Sequence, residues 1–146
     1  MSAGRRKGFW RAVQGTAAIE FAMLAVPFLA LGLGIYEFGR ACWDLEALQE
    51  SAAQGARCIG VHQSSCYTSG AFDSSATVTY VQNVANGWGL SVPSADITPT
   101  QSTTCGTVAG FAQIQISYSF STVVGNLIPA LNNQTLNVSS CFPLNP

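Results

Sequence analysis

Between Ala17 and Tyr36 the chain runs for 20 residues with one charge, Glu20. A helix rises about 1.5 Å per residue, so such a run covers roughly the 30 Å hydrocarbon layer of a bilayer. A soluble protein could also bury an apolar helix, but 146 residues cannot easily surround one of this length on all sides. What remains suffices for one small domain of about 80 residues. The run is therefore read as a membrane span.

Charge sets its direction. Arg5, Arg6, Lys7 and Arg11 precede the run, whereas Glu37, Asp44, Glu46 and Glu50 follow it. Basic residues stay on the cytoplasmic side, so the N-terminus is expected in the cytoplasm and the remainder outside. The net charge of −1 conceals this segregation. A chain cut after Gly15 would keep only Arg40 and Arg57 against seven acids. That leaves no basic surface for nucleic acid.

The start of the run is unusual. An acid four residues into a membrane helix is costly, on the order of 2.5 to 3.5 kcal/mol at the bilayer centre and less near the interface. It lies in Gly15-Thr16-Ala17-Ala18-Ile19-Glu20, behind a short basic leader and ahead of the apolar helix. A conventional secretory signal has a shorter apolar core and no internal acid. The pattern resembles the processing site of type IV prepilins and pseudopilins, where a membrane peptidase cuts after the glycine. Pro27, the run Ile35-Tyr36-Glu37-Phe38-Gly39-Arg40-Ala41 and the run Ala52-Ala53-Gln54-Gly55-Ala56-Arg57 extend the likeness. Together they resemble the N-terminal signature of the TadE-like family, pseudopilins of tight-adherence (Flp) pilus systems. The firm part of the resemblance covers residues 15 to 57. Thr16 departs from the large apolar residue that many pilins carry after the cut.

The resemblance implies a leader over 1–15, with Gly15 and Thr16 flanking the cleaved bond; Glu20, an acid one turn from the new terminus, is expected to act in assembly by pairing with it. The expected layout continues with a transmembrane helix over 16–39, an amphipathic stem over 40–60 and an extracytoplasmic domain over 61–146. Phe9 and Trp10 are candidate anchors at the inner interface. Pro27, with Gly32 and Gly34 behind it, predicts a kink or loosened turn.

Beyond the span, Leu45, Leu48, Ala52, Ala56 and Ile59 recur at helical spacing, which predicts that the helix continues as a stem with one apolar stripe. Gly60 is a plausible cap and Arg57 suits the negative end. Residues 61 to 75 read as a loop. Ser74 or Ser75 could cap a second helix with Val78, Val81, Ala85 and Trp88 on one face, although β-branched Thr77, Val78, Thr79 and Val81 leave a strand open. An irregular strand is expected over 96–104, then a turn at Cys105-Gly106. From Ala112 to Ser121, Ile114, Ile116, Tyr118 and Phe120 alternate with polar residues, the pattern of a half-buried strand. A connection containing Pro129 precedes a third strand over 135–141. Three antiparallel strands with one apolar face need a cover, which the stem supplies. The fold class is α+β, a long N-terminal helix on a small antiparallel sheet, also the architecture that the pilin resemblance implies.

The cysteines lie beyond the span, in the region read as outside, where disulfides form. If the strands run up, down and up, Cys105 and Cys141 meet at one end of the sheet. A Cys105–Cys141 disulfide is expected, which adjacent outer strands would permit and an intervening central strand would make difficult. A local Cys58–Cys66 bridge is expected beside it, leaving Cys42 unpaired. No C-x-x-C spacing occurs, and one histidine, His62, makes no zinc set, so neither metal nor cofactor is expected. His62 with a cysteine, or Asp73 with Asp96, lacks any catalytic motif, so no enzyme activity is expected.

The functional reading is a minor pilin-like subunit of a tight-adherence pilus apparatus in the bacterial inner membrane, with its C-terminal domain periplasmic. Its expected partners are the prepilin peptidase, other pilin or pseudopilin subunits, the assembly platform and the lipid bilayer. The alternative is a single-pass anchored domain without a pilus role.

Overall fold

The computed structural model describes residues 7–122 and 134–144, with side chains from residue 15 onward. Arg5, Arg6, the side chains of Lys7, Phe9, Trp10 and Arg11, and the Pro129 connection lie outside the described residues. The architecture is α+β, with one long helix, one shorter helix and two small antiparallel sheets. The chain divides into two compact units at Gly39 and Arg40.

Helix α1, Lys7–Gly60, is continuous through Pro27, Gly32 and Gly34, so no break accompanies the expected loosening. Its portion in the first unit exposes its apolar side chains: Phe21, Met23, Leu24, Val26 and Phe28 are each at least 70% accessible. Such a surface is stable only where something other than water covers it.

The second unit begins with the stem, the part of α1 from Arg40. Behind it come β1 (Tyr67–Thr68) and β2 (Ala71–Phe72), which form a miniature hairpin where a plain loop was expected. Ser69 and Gly70 at its tip both take positive φ. Helix α2, Ser74–Gly87, then settles the helix-or-strand alternative. Its cap is Asp73, one residue before the expected serines: its Oδ1 accepts from the Ala76 amide at 3.0 Å and the Ser75 hydroxyl at 2.7 Å. The β-branched threonines are accommodated because their hydroxyls donate one turn back, Thr77 to the Asp73 carbonyl at 2.8 Å and Thr79 to that of Ser75 at 2.9 Å. Buried Thr77 thereby keeps its polar atom satisfied. Trp88 does not complete the buried face with Val81 and Ala85. It follows the last helical residue and is 37% exposed.

The main sheet has the order β3-β4-β5: β3 (Ile97–Cys105), β4 (Val108–Phe120) and β5 (Gln134–Pro143), all antiparallel. Ala112, Ile114, Ile116 and Phe120 are buried on one face of β4, as alternation requires. The β4–β5 register is unbroken over ten pairs, whereas β3 slips against β4 between Thr100 and Thr104. The core joins stem residues Ala47, Leu48, Ala52, Ala56 and Ile59 to Val81 of α2 and to Ile114 and Ile116 of the sheet.

Candidate functional site

The candidate site is the length of α1 from Gly15 to Arg57. Gly15, Thr16 and Glu20 all lie exposed on this helix. Thr16 and Glu20, four residues apart, stand on one face separated by about 6 Å of helical rise. An α-amino group created at Thr16 would be mostly protonated at neutral pH, with a reference pKa of about 7.7 to 8.0. The Glu20 carboxylate is one helical turn from that position. The bond between Gly15 and Thr16 is inside the helix, at a turn that glycine weakens by about 1 kcal/mol relative to alanine.

The next segment is one helix long and apolar enough to cross a membrane, with a mean hydropathy of 2.1 in its most apolar window and none of that window buried.

The stem portion is shaped by small residues. Besides Ala52 and Ala56 of the expected stripe, Ala47, Ser51 and Gly55 are buried, with the Ser51 hydroxyl donating to the Ala47 carbonyl at 2.6 Å. A Cβ on Gly55 would lie 2.5 Å from Val81 Cγ2 and 3.0 Å from Ile114 Cγ1. The glycine therefore lets the helix, α2 and the sheet meet at one point. Gly60 has a similar role: a Cβ there would overlap the Phe142 ring and come within 2.8 Å of the Pro143 carbonyl oxygen.

Gly60 is consequently not the left-handed cap expected from the sequence. That conformation falls two residues later on His62, at φ 54°. The His62 amide donates to the Ile59 carbonyl and the Gln63 amide to that of Cys58, the paired bonds of a Schellman ending. Tyr67 fastens the same end, its hydroxyl donating to the Ile59 carbonyl at 3.2 Å and its ring 4.7 Å from that of His62.

Cys58 and Cys66 are joined, as are Cys105 and Cys141, and Cys42 is free and exposed. The second bridge spans the central strand, since β4 lies between its two partners and the outer strands are not adjacent. Strands two places apart in a flat sheet are separated by about 9.5 Å, and Cys105 and Cys141 are further offset along β4, opposite Val108 and Gln113, yet their Cα atoms are 6.5 Å apart. A flat sheet cannot meet that distance, and the departure falls at the slipped end of β3, where Gly110 of β4 takes φ 87°.

Two carboxyls depart from ordinary behaviour. The hydrogen bonds from the Ala76 amide, the Ser75 hydroxyl and the Thr68 hydroxyl hold Asp73 down to about 2. Burial pushes Asp44 up, opposed by Arg40 one turn earlier. A surface groove of about 690 Å³ is open and lined by Glu50, Gln54, Arg57, Val61, Gln63 and Tyr80. It brings together no nucleophile and base. Among the described residues no three His, Cys, Asp or Glu side chains cluster as metal ligands.

The family model described as TadE-like protein matches residues 15–57. No curated protein and no solved structure matches the chain.

Proposed function

Proceeding from the match of residues 15–57 to the pilus-related TadE-like proteins, we propose that this chain is a minor pilin-like membrane subunit of a tight-adherence pilus apparatus. It is made as a precursor, cut by a prepilin peptidase after Gly15, and retained by residues 16–39 in the inner membrane. Residues 40–60 lead to a periplasmic domain over 61–146. Its work is anchoring and assembly alongside other pilin or pseudopilin subunits and the assembly platform.

The observation that carries this reading is the coincidence, on one exposed apolar helix, of Gly15, Thr16 and Glu20 with the family match. Glu20 then serves assembly: it pairs with the new terminus of its own chain, or with that of a neighbour staggered by about one turn, which fixes subunit register. The small-residue stem has a separate role, holding the folded unit against the helix.

N-terminal sequencing of the mature protein, from cells with and without the prepilin peptidase, tests the proposal. A terminus at Thr16 that depends on the peptidase is expected. An uncut chain in both strains would leave a single-pass anchored domain without a pilus role.

A further inference from the structure

We propose that the Trp43–Trp88 pair seats the folded unit on the lipid headgroup layer; the inference rests on the reading of α1 as a membrane anchor. Trp43 on the stem is 56% exposed and Trp88 after α2 is 37% exposed. Their rings meet edge to face, with centroids 5.5 Å apart, and the Trp43 indole N–H donates to the Trp88 carbonyl at 3.3 Å. The pair is thus a fixed apolar projection. The Trp88 indole N–H has no partner among the described residues, so it is available to a lipid carbonyl or phosphate oxygen.

Chain connectivity brings this projection to the bilayer. Phe38, 73% exposed, is the last large apolar side chain of the membrane helix over 16–39, and Trp43 follows it by five residues. Five residues advance about 7.5 Å in a helix and no more than about 18 Å even when extended. Each headgroup layer is roughly 5 to 8 Å deep, so Trp43 falls within or just above it. Arg40, between the two, ties a second part of the folded unit to the same interval. Its guanidinium lies 5.3 Å over the Phe120 ring and donates to the Ser121 carbonyl at 3.4 Å.

Amphipathic indole rings concentrate at the membrane–water boundary, where the apolar body and the polar N–H are both accommodated. Charge is not the attraction, because Asp44 and Glu46 follow Trp43 closely and outnumber Arg40 before it. Seating should therefore be insensitive to salt and to anionic lipid.

The test uses the full chain in phosphatidylcholine bilayers carrying bromine at chosen acyl depths. One form keeps Trp88 alone (Trp10→Phe, Trp43→Phe) and a second keeps Trp43 alone (Trp10→Phe, Trp88→Phe). A third places its sole indole in the anchor by Phe28→Trp, with Trp10, Trp43 and Trp88 all changed to Phe. The first two should lose more emission to bromines near the carbonyl end than to deep ones, equally at low and high salt. The anchor reference should be quenched by deep bromines. A quenched reference with Trp43 and Trp88 unaffected by any brominated lipid overturns the seating and leaves the anchor standing. An unquenched reference overturns both. Emission of Trp88 that blue-shifts only when a second pilin-like subunit is added would assign the pair to a protein interface instead.

Discussion

Adding one methyl group at Gly55 should destabilise the folded unit even though it improves the helix. Alanine in place of glycine inside a helix is worth about 1 kcal/mol. Against this, the new Cβ would stand 2.5 Å from Val81 Cγ2, 3.0 Å from Ile114 Cγ1 and 3.4 Å from Ile114 Cδ1, where carbons prefer about 3.5 to 4.0 Å. Both neighbours are fully buried. Val81 is on a helix, where a valine has essentially one rotamer and cannot swing aside. Overpacking of this kind typically costs about 1 to 3 kcal/mol. With an overlap near 1 Å the upper half of that range applies, so Gly55→Ala should lose a net of about 1 to 2 kcal/mol.

The assay is guanidinium unfolding of the oxidised full chain in detergent micelles, followed by tryptophan fluorescence. Val81→Ala alone should cost about 2 kcal/mol through lost burial and a cavity. The double variant should fall short of the sum by about 1 kcal/mol or more, because the new methyl occupies the vacated space. Gly87→Ala, at a helical position with nothing within 4 Å of the added Cβ, should instead gain about 0.4 to 1 kcal/mol. A Gly55→Ala form at least as stable as the parent, or a strictly additive cycle, would refute the close-approach argument.

Three further expectations concern other parts of the chain. Asp73 is held down to about 2, so its stabilisation is complete above the ordinary aspartate range and disappears as pH falls from about 4 to 2. Asp73→Asn keeps the cap without the titration and should flatten that part of the stability–pH profile; Asp44, shifted upward, acts in the opposite sense in both forms and cancels in the comparison. Replacing Cys105 and Cys141 together by Ser should cost about 3 to 4 kcal/mol for a loop of separation 36, against about 2 to 3 for Cys58 and Cys66 with separation 8, measured by the same unfolding assay. In cells, Gly15→Leu should block cleavage, whereas Glu20→Gln should be cut normally yet impair piliation. Normal piliation by the Glu20→Gln form would remove the assembly role.

Local pattern alone determined the apolar span, the stem stripe and the alternating strand from Ala112 to Phe120, because each is a periodicity that one element must satisfy by itself. The choice of helix for Ser74–Gly87 was nearly legible: Asp73 adjoins the serines considered as caps, and only its bonds to Ala76 and Thr68 distinguish it. The partners of the stem were not legible. Gly55 and Gly60 looked like a weak helix residue and a cap, and became points of contact only when Val81, Ile114 and Phe142 arrived from distant positions in the chain. A spacing of Ala47, Ser51, Gly55 and Ala52, Ala56 every four residues was the available signal for a close helix approach. Strand order likewise has no local signature, so the sequence left open whether β4 separates Cys105 from Cys141, and the departure from flatness that joins them across it belongs to the assembled sheet. Trp88 reads as one more apolar position of α2 until a Schellman turn closed by Gly89 carries it out of the core and against Trp43. Residues whose role is to permit or make a long-range approach are fixed by what they meet, and the tertiary fold alone supplies that.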